Sequence, residues 1–305
     1  MTRIFLITGF LGSGKTSFLK NVLGGSLEKV GVLVNEFGKI SIDGSLLLQE
    51  QMDLIELNNG SIFCSCIKEH FIKSLKDLIN KKLNYIFIES SGLADPSNMA
   101  QITELISTQV FYPFEYVGSI CLIDGLYFEQ ELNKMVSVER QIKYSQVVLI
   151  NKTDLIDAIQ LQKIIKKVTM INPEANIYNM SFGIIDFQSL VFNQSPKIYQ
   201  NTTNIENNRP YVIVMRLKTE IKIDIFLEMI HQIKEHFHRI KGIVGKDENR
   251  FKIDTVQQKV DINTYSGIST AEQTVVFISA IGVHAVSYIV NAANEWIPDL
   301  YELET

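Results

Sequence analysis

The chain is short of cysteine, of basic charge and of long apolar runs. Three cysteines in 305 residues, Cys64, Cys66 and Cys121, do not make a disulfide framework. Their scarcity fits a compartment that keeps thiols reduced, so a cytoplasmic location is expected. A net charge of −5 argues against the basic surface that nucleic-acid binding needs. No apolar run approaches the ~18 residues needed to cross a bilayer, so no membrane partner is expected. Residues 4–10 are apolar but run straight into a glycine loop without a cleavage site, and they read as a first core strand. Repeats and low-complexity tracts are also missing. With 46% apolar and 21% charged residues, no long disordered region is expected.

The length suggests two domains, at ~100–200 residues each. Short runs rich in Ile, Val, Leu and Phe predict strands over 3–8, 30–34, 85–89, 118–124 and 146–151, and such continuous runs suit a parallel sheet covered on both faces. Helical spacing fits 71–81, 97–107 and 157–169. The expected fold is a doubly wound, mostly parallel α/β domain over 1–198, whose ligands would bind beyond the carboxyl ends of the strands. The Asn- and Thr-rich stretch 199–210, YQNTTNIENNRP, reads as a linker. A smaller α+β domain is expected over 211–305, with strands at 211–217, 240–244, 255–260 and 275–279 and helices at 224–238 and 283–295.

The most informative stretch is 9–16, GFLGSGKT, which lies between a predicted strand and a predicted helix and matches a phosphate-binding loop. Gly9, Gly12 and Gly14 leave backbone N–H groups free to converge on phosphate oxygens, and Ser13 and Ser17 lie within the same loop and helix start. Lys15 would reach the β- and γ-phosphates, and the Thr16 hydroxyl would ligate Mg²⁺. Glu89 ends the third predicted strand, where an acid serves as a second Mg²⁺ anchor. Gly92, three residues on, can bring its amide close to the γ-phosphate. Asp95 followed by Pro96 reads as a helix cap. After the strand 147–150 come Asn151, Lys152, Thr153 and Asp154. A carboxylate there can accept two hydrogen bonds from the N1–H and N2–H₂ edge of guanine, whereas adenine offers no such pair of donors.

Glu36 and Asp43 follow the second strand and could contact the metal or orient the attacking water; a plain polar loop explains them equally well. Cys64 and Cys66, at i and i+2, can share a soft ion such as Zn²⁺, but two thiols do not close a structural site, and Glu36 or a cargo group would have to complete it. Cys121 reads as a core residue. His231 and His238, seven apart on the expected helix, would share a face that His236 does not; a polar helix face is preferred there to a metal site.

GFLGSGKT, NEFG at 35–38, ELNNG at 56–60, ESSGLADP at 89–96 and NKTD at 151–154, in this order, resemble the CobW-type P-loop GTPases, relatives of HypB and UreG. RIKG at 239–242 and VVFI at 275–278 resemble strands of that family's smaller domain. The resemblance implies Mg²⁺-dependent hydrolysis of GTP coupled to delivery of a metal or metal cofactor to a client metalloprotein or cofactor-dependent enzyme. Hydrolysis is expected to be slow without a partner, because residues 35–43 contain no arginine, and a homodimer stays open. It also implies that the phosphate loop, Glu89, Gly92 and residues 151–154 hold Mg-GTP.

The chain departs from the family at the metal-binding C-x-C-C that follows ELNNG. Ser61, Ile62, Phe63 and Cys64 stand there, with Cys66 beyond. At most two thiolates remain, at altered spacing, which leaves the cargo open: another metal, a corrinoid or a client protein. A nucleotide-gated activator that carries no metal is the alternative reading, and an ATP-dependent small-molecule kinase is a third.

Overall fold

The computed structural model describes residues 1–25, 27–36, 53–58, 68–197, 211–246, 249–256, 259–265 and 273–304. The chain divides into two compact units, Met1–Asn208 and Arg209–Thr305. The stretch expected as a linker lies outside the described residues.

The first unit alternates strands and helices. In order these are β1 (Thr2–Gly9), α1 (Lys15–Leu23), β2 (Val30–Glu36), β3 (Asp53–Asn58), α2 (Lys68–Asn80), β4 (Tyr85–Glu89), α3 (Met99–Ser107), β5 (Phe114–Asp124), α4 (Phe128–Lys134), α5 (Val136–Lys143), β6 (Val147–Asn151), α6 (Ala158–Ile171) and β7 (Asn176–Asn179). The seven strands pair in the order β3-β2-β4-β1-β5-β6-β7, every pair parallel. Both faces of β1 are buried, as its unbroken apolar sequence requires. Phe5 and Ile7 pack with Phe18, Leu19 and Val22 of α1, while Ile4 and Leu6 pack with Phe71, Leu75 and Ile79 of α2 and Ile102 of α3. Parallel strands need crossovers, so helices cover both sides of the sheet. Asp95 accepts from Ser97 N (3.0 Å) and caps a 3₁₀ turn, Pro96–Asn98, that leads into α3.

Beyond the expected strands, the unit has two that escaped the sequence reading, β3 and β7. Each pairs with a single neighbour at a sheet edge. The short helices α4 and α5 were also unforeseen.

The second unit contains β8 (Val212–Leu217), α7 (Ile223–Ile233), β9 (Phe237–Val244), β10 (Phe251–Val256), β11 (Lys259–Thr264), β12 (Thr274–Ser279), α8 (Ala285–Trp296) and β13 (Tyr301–Glu304). Its strands form one antiparallel sheet, β11-β10-β9-β12-β8-β13. Phe226, Met229 and Ile230 of α7 and Ile289 and Ala293 of α8 pack on Ile213, Met215, Ile240, Ile253 and Phe277 of the sheet.

Two expectations fail here. The helix expected over 224–238 ends at Ile233; a 3₁₀ turn, Lys234–His236, follows, and Phe237 begins β9 by pairing with Ser279. His238 therefore lies on a strand and shares no helix face with His231. The strand expected over 255–260 straddles the connection between β10 and β11, which pair with each other as a hairpin.

Candidate functional site

In a parallel sheet all the strands end at the same edge, and here β1, β4, β5 and β6 deliver their carboxyl ends side by side. The chain passes from β4 on one side of β1 to β5 on the other. That change of side opens a crevice above the sheet, the place where such folds bind ligands.

The phosphate-type loop fills the crevice. Gly9, Gly12 and Gly14 all have positive φ, 135°, 79° and 100°. Gly14 is the N-cap of α1 and supplies no side-chain cap, so the first-turn N–H groups of the helix are left for an anion. A Cβ on Gly14 would fall 2.3 Å from Asn151 Nδ2, so no other residue fits without displacing that amide. The ammonium of Lys15 lies across the loop and donates to the carbonyls of Gly9 (2.9 Å) and Phe10 (3.0 Å). Thr16 Oγ1 donates to Glu89 Oε1 at 2.9 Å, and Glu89 is buried at the end of β4. Ser17 is exposed at the start of α1.

Two features test whether these residues suit Mg²⁺ and phosphate. The hydroxyl of Thr16 and the carboxylate of Glu89 are a hard-oxygen pair beside a helix N-terminus, the donor chemistry that Mg²⁺ prefers. Thr8 Oγ1, Ser13 Oγ and Ser91 Oγ are buried around the loop without a hydrogen-bond partner among the described residues. An unmet buried hydroxyl costs about 1–3 kcal/mol, so such a group calls for a ligand or water. The residues fit.

A second group of loops lies next to the first. Asn151, buried at the end of β6, donates from Nδ2 to Ser13 O (2.9 Å) and accepts at Oδ1 from Gly183 N (3.2 Å). It therefore joins the phosphate loop to the loop after β7. Thr153 N and Oγ1 donate to Met180 O (3.3 and 3.0 Å), and its hydroxyl lies 3.0 Å from Ser181 Oγ. Lys152 occupies the left-handed region, φ 61°, with its ammonium on Asp124 at the end of β5. Such a conformation in a non-glycine residue is a strain that tightly determined sites hold. Asp154 projects into solvent with no partner among the described residues. Residues 180–183 were missed by the sequence reading. The available signal was the Ser-Phe-Gly turn, which follows a strand that was itself overlooked.

Gly92 lies against the phosphate loop, where a Cβ would come 2.7 Å from Leu11 N. Glu36 ends β2, but its side chain, Asp43, Cys64 and Cys66 lie outside what is described. Among the described residues no group of three or more His, Cys, Asp or Glu could hold a metal. Cys121 is buried in β5, and burial pushes its thiol up to about 12 against the pull of the Lys15 ammonium. No helix among the described residues is long and apolar enough to cross a membrane.

The family model for the CobW/HypB/UreG nucleotide-binding domain matches residues 3–179. The zinc chaperone YjiA of Escherichia coli is 30% identical over 214 residues, 68% of this chain and 65% of that protein. The zinc-regulated GTPase metalloprotein activator 1 of Schizosaccharomyces pombe is 27% identical over 244 residues, 76% of this chain and 59% of that protein. The zinc chaperone CobW of Pseudomonas aeruginosa is 29% identical over 195 residues, 53% of this chain and 51% of that protein. The chain thus spans between about half and two thirds of the length of these curated relatives. The crystal structure of Zn(II)-bound YjiA GTPase from E. coli aligns over 97% of this chain and 98% of that one, with 22% identity and a TM-score of 0.46. That of HypB from Helicobacter pylori in complex with nickel aligns over 59% and 79%, with 19% identity and a TM-score of 0.43.

Proposed function

Because the chain belongs to the CobW/HypB/UreG family, we propose that it is a GTPase that couples hydrolysis of GTP to delivery of a metal ion or metal cofactor to a client protein. The observation that carries this reading is the Asn151 bridge. The buried amide of Asn151, the first residue of the proposed base-reading segment 151–154, ties that segment to Ser13 of the phosphate loop and to Gly183, so triphosphate and purine would be gripped by one hydrogen-bonded unit.

In this reading the first-turn amides of α1 and the glycine loop cradle the β- and γ-phosphates. Lys15 exchanges its carbonyl partners for phosphate oxygens and neutralises charge as it develops. Asp154 accepts from the guanine edge, and Asn151 and Lys152 hold its loop in place. Thr16 and Glu89 are the residues that would hold Mg²⁺, which when bound supplies charge neutralisation at the phosphates. Gly92 presents its N–H to the γ-phosphate. Glu36 or Asp43 orients the attacking water. Turnover is slow without a partner, since residues 35–43 contain no arginine to serve as a charge-stabilising finger.

Zinc is the cargo named for the YjiA and CobW relatives. For this chain we assign Cys64, Cys66 and Glu36 as the transport ligands, with the departure from C-x-C-C leaving the identity of the ion to experiment. The client is a metalloprotein or cofactor-dependent enzyme in the cytoplasm. Residues 1–198 form the nucleotide domain and 211–305 the smaller one.

The test is GTP turnover by the wild type and Lys15→Ala with Mg²⁺ present. Removing the ammonium is expected to lower turnover about 10²–10³-fold, the loss typical of one preorganised charge-stabilising group. Undiminished turnover would refute the assignment.

A further inference from the structure

Helix α5 reaches into the segment that follows β4. Gln141 is buried, and its Nε2 donates to the carbonyls of Gly92 (3.1 Å) and Ala94 (2.9 Å). One residue earlier, Arg140 donates from Nε to Asp95 Oδ2 and from Nη2 to Ser97 Oγ (3.3 Å). On its other side Gly92 abuts Leu11 of the phosphate loop. Residues 92–95 thus lie between the nucleotide cradle and α5, held from the helix by two neighbouring side chains.

The remaining polar atom of the Gln141 amide is unmet. Its Oε1 is buried with no partner among the described residues. Leucine or methionine would fill similar space but would leave the carbonyls of Gly92 and Ala94 without these donors. An unused acceptor beside a polypeptide segment offers one of its N–H groups a second bonding arrangement. The two bonds that are made restrain the peptide planes following Gly92 and Ala94. They therefore add a restraint at a glycine, the residue with the widest backbone freedom.

We propose that Gln141 is a positioning residue of the nucleotide switch: it restrains the backbone at Gly92 and Ala94 so that the Gly92 N–H faces the γ-phosphate, and it carries any displacement of that segment into α5. This rests on the reading of Gly92 as a γ-phosphate contact. It adds a route by which α5, which has no part in the cradle itself, distinguishes GTP from GDP. The amide supplies two bonding arrangements, and the γ-phosphate selects between them.

The experiment is amide hydrogen exchange over residues 89–95 and 136–143, with GDP and with a non-hydrolysable GTP analogue, in the wild type, Gln141→Leu and Gln141→Met. GTP turnover and the affinity for each nucleotide are measured alongside. In the wild type both segments are expected to exchange about tenfold more slowly with the analogue than with GDP. In either variant that difference disappears and turnover falls about tenfold, while GDP affinity stays within about twofold. Methionine, unbranched and adaptable, decides the matter should leucine disturb packing. A wild-type difference that survives in the variants overturns the role of Gln141 and leaves the Gly92 reading standing. An equal loss of affinity for GDP and analogue also overturns it, because that marks a purely structural side chain. No γ-phosphate-dependent protection in the wild type overturns the Gly92 reading, and the proposal with it.

Discussion

The two units are both sheets with helices, yet they use them differently. In the first, parallel pairing brings the ends of β1, β4, β5 and β6 to one edge. Gly9, Glu89, Asp124 and Asn151, far apart in sequence, become neighbours there. In the second, antiparallel pairing sends consecutive strand ends to opposite edges, and α7 and α8 together cover one face. Among the described residues its histidines do not converge: His231 lies on α7, His236 in a 3₁₀ turn with its ring 3.7 Å from that of Tyr288, and His238 on β9. The difference teaches that strand direction determines whether loops can pool their chemistry. The candidate nucleotide site lies in the parallel unit, where the family model for the nucleotide-binding domain matches residues 3–179.

The strongest way to break this contrast is a large-to-small change in the core of the antiparallel unit. Phe277 on β12 is fully buried and stacks edge-on against Phe237. Phe277→Ala is expected to cost about 3–5 kcal/mol of unfolding free energy in urea titration, from lost transfer energy and the cavity left behind. GTP affinity at a temperature where the variant remains folded should stay within about twofold. A parallel collapse of GTP affinity would show that the site is not confined to the parallel unit.

A smaller effect sharpens the contrast from inside the parallel sheet. Burial raises the Cys121 thiol from 9.0 to about 12, so the folded protein keeps its proton where the unfolded chain loses it. Between those values the folded state binds more protons than the unfolded state, and stability falls as pH rises, by at most about 1.4 kcal/mol per pH unit. Well below pH 9.0, where the thiol is protonated in both states, it adds no such slope. Comparing the wild type with Cys121→Ala over pH 8–11 should remove this part of the decline; an unchanged slope would contradict the burial of that thiol.

The legible parts of the molecule were those with a physical signature confined to a short window. Residues 4–7 are continuously apolar because β1 is covered on both faces, and the glycines after it are spaced by the backbone the loop must adopt. The Asp95-Pro96 cap was readable for the same local reason. Edge strands were not. Each of β3 and β7 pairs on one side only, so β7 needs little beyond Ile177 and Tyr178 to hold it. The end of α7 was hidden because the periodicity of 224–238 remains helical while pairing of Phe237 with Ser279 prevails. Within the site, the cradle and the residues at 151–154 could be read as motifs. The Asn151 bridge and the Gln141 contacts could not, since both depend on segments brought together only by the tertiary fold.

The central claim is that one cradle grips the triphosphate while Asp154 reads the purine as guanine. Equilibrium competition between GTP and ATP with Mg²⁺, for the wild type and Asp154→Asn, tests it most directly. Two charge-assisted hydrogen bonds at about 1.5 kcal/mol each predict a preference for GTP of about a hundredfold, lost in Asp154→Asn with ATP affinity unchanged. Equal binding of ATP and GTP by the wild type, or full GTP affinity in Asp154→Asn, would contradict it.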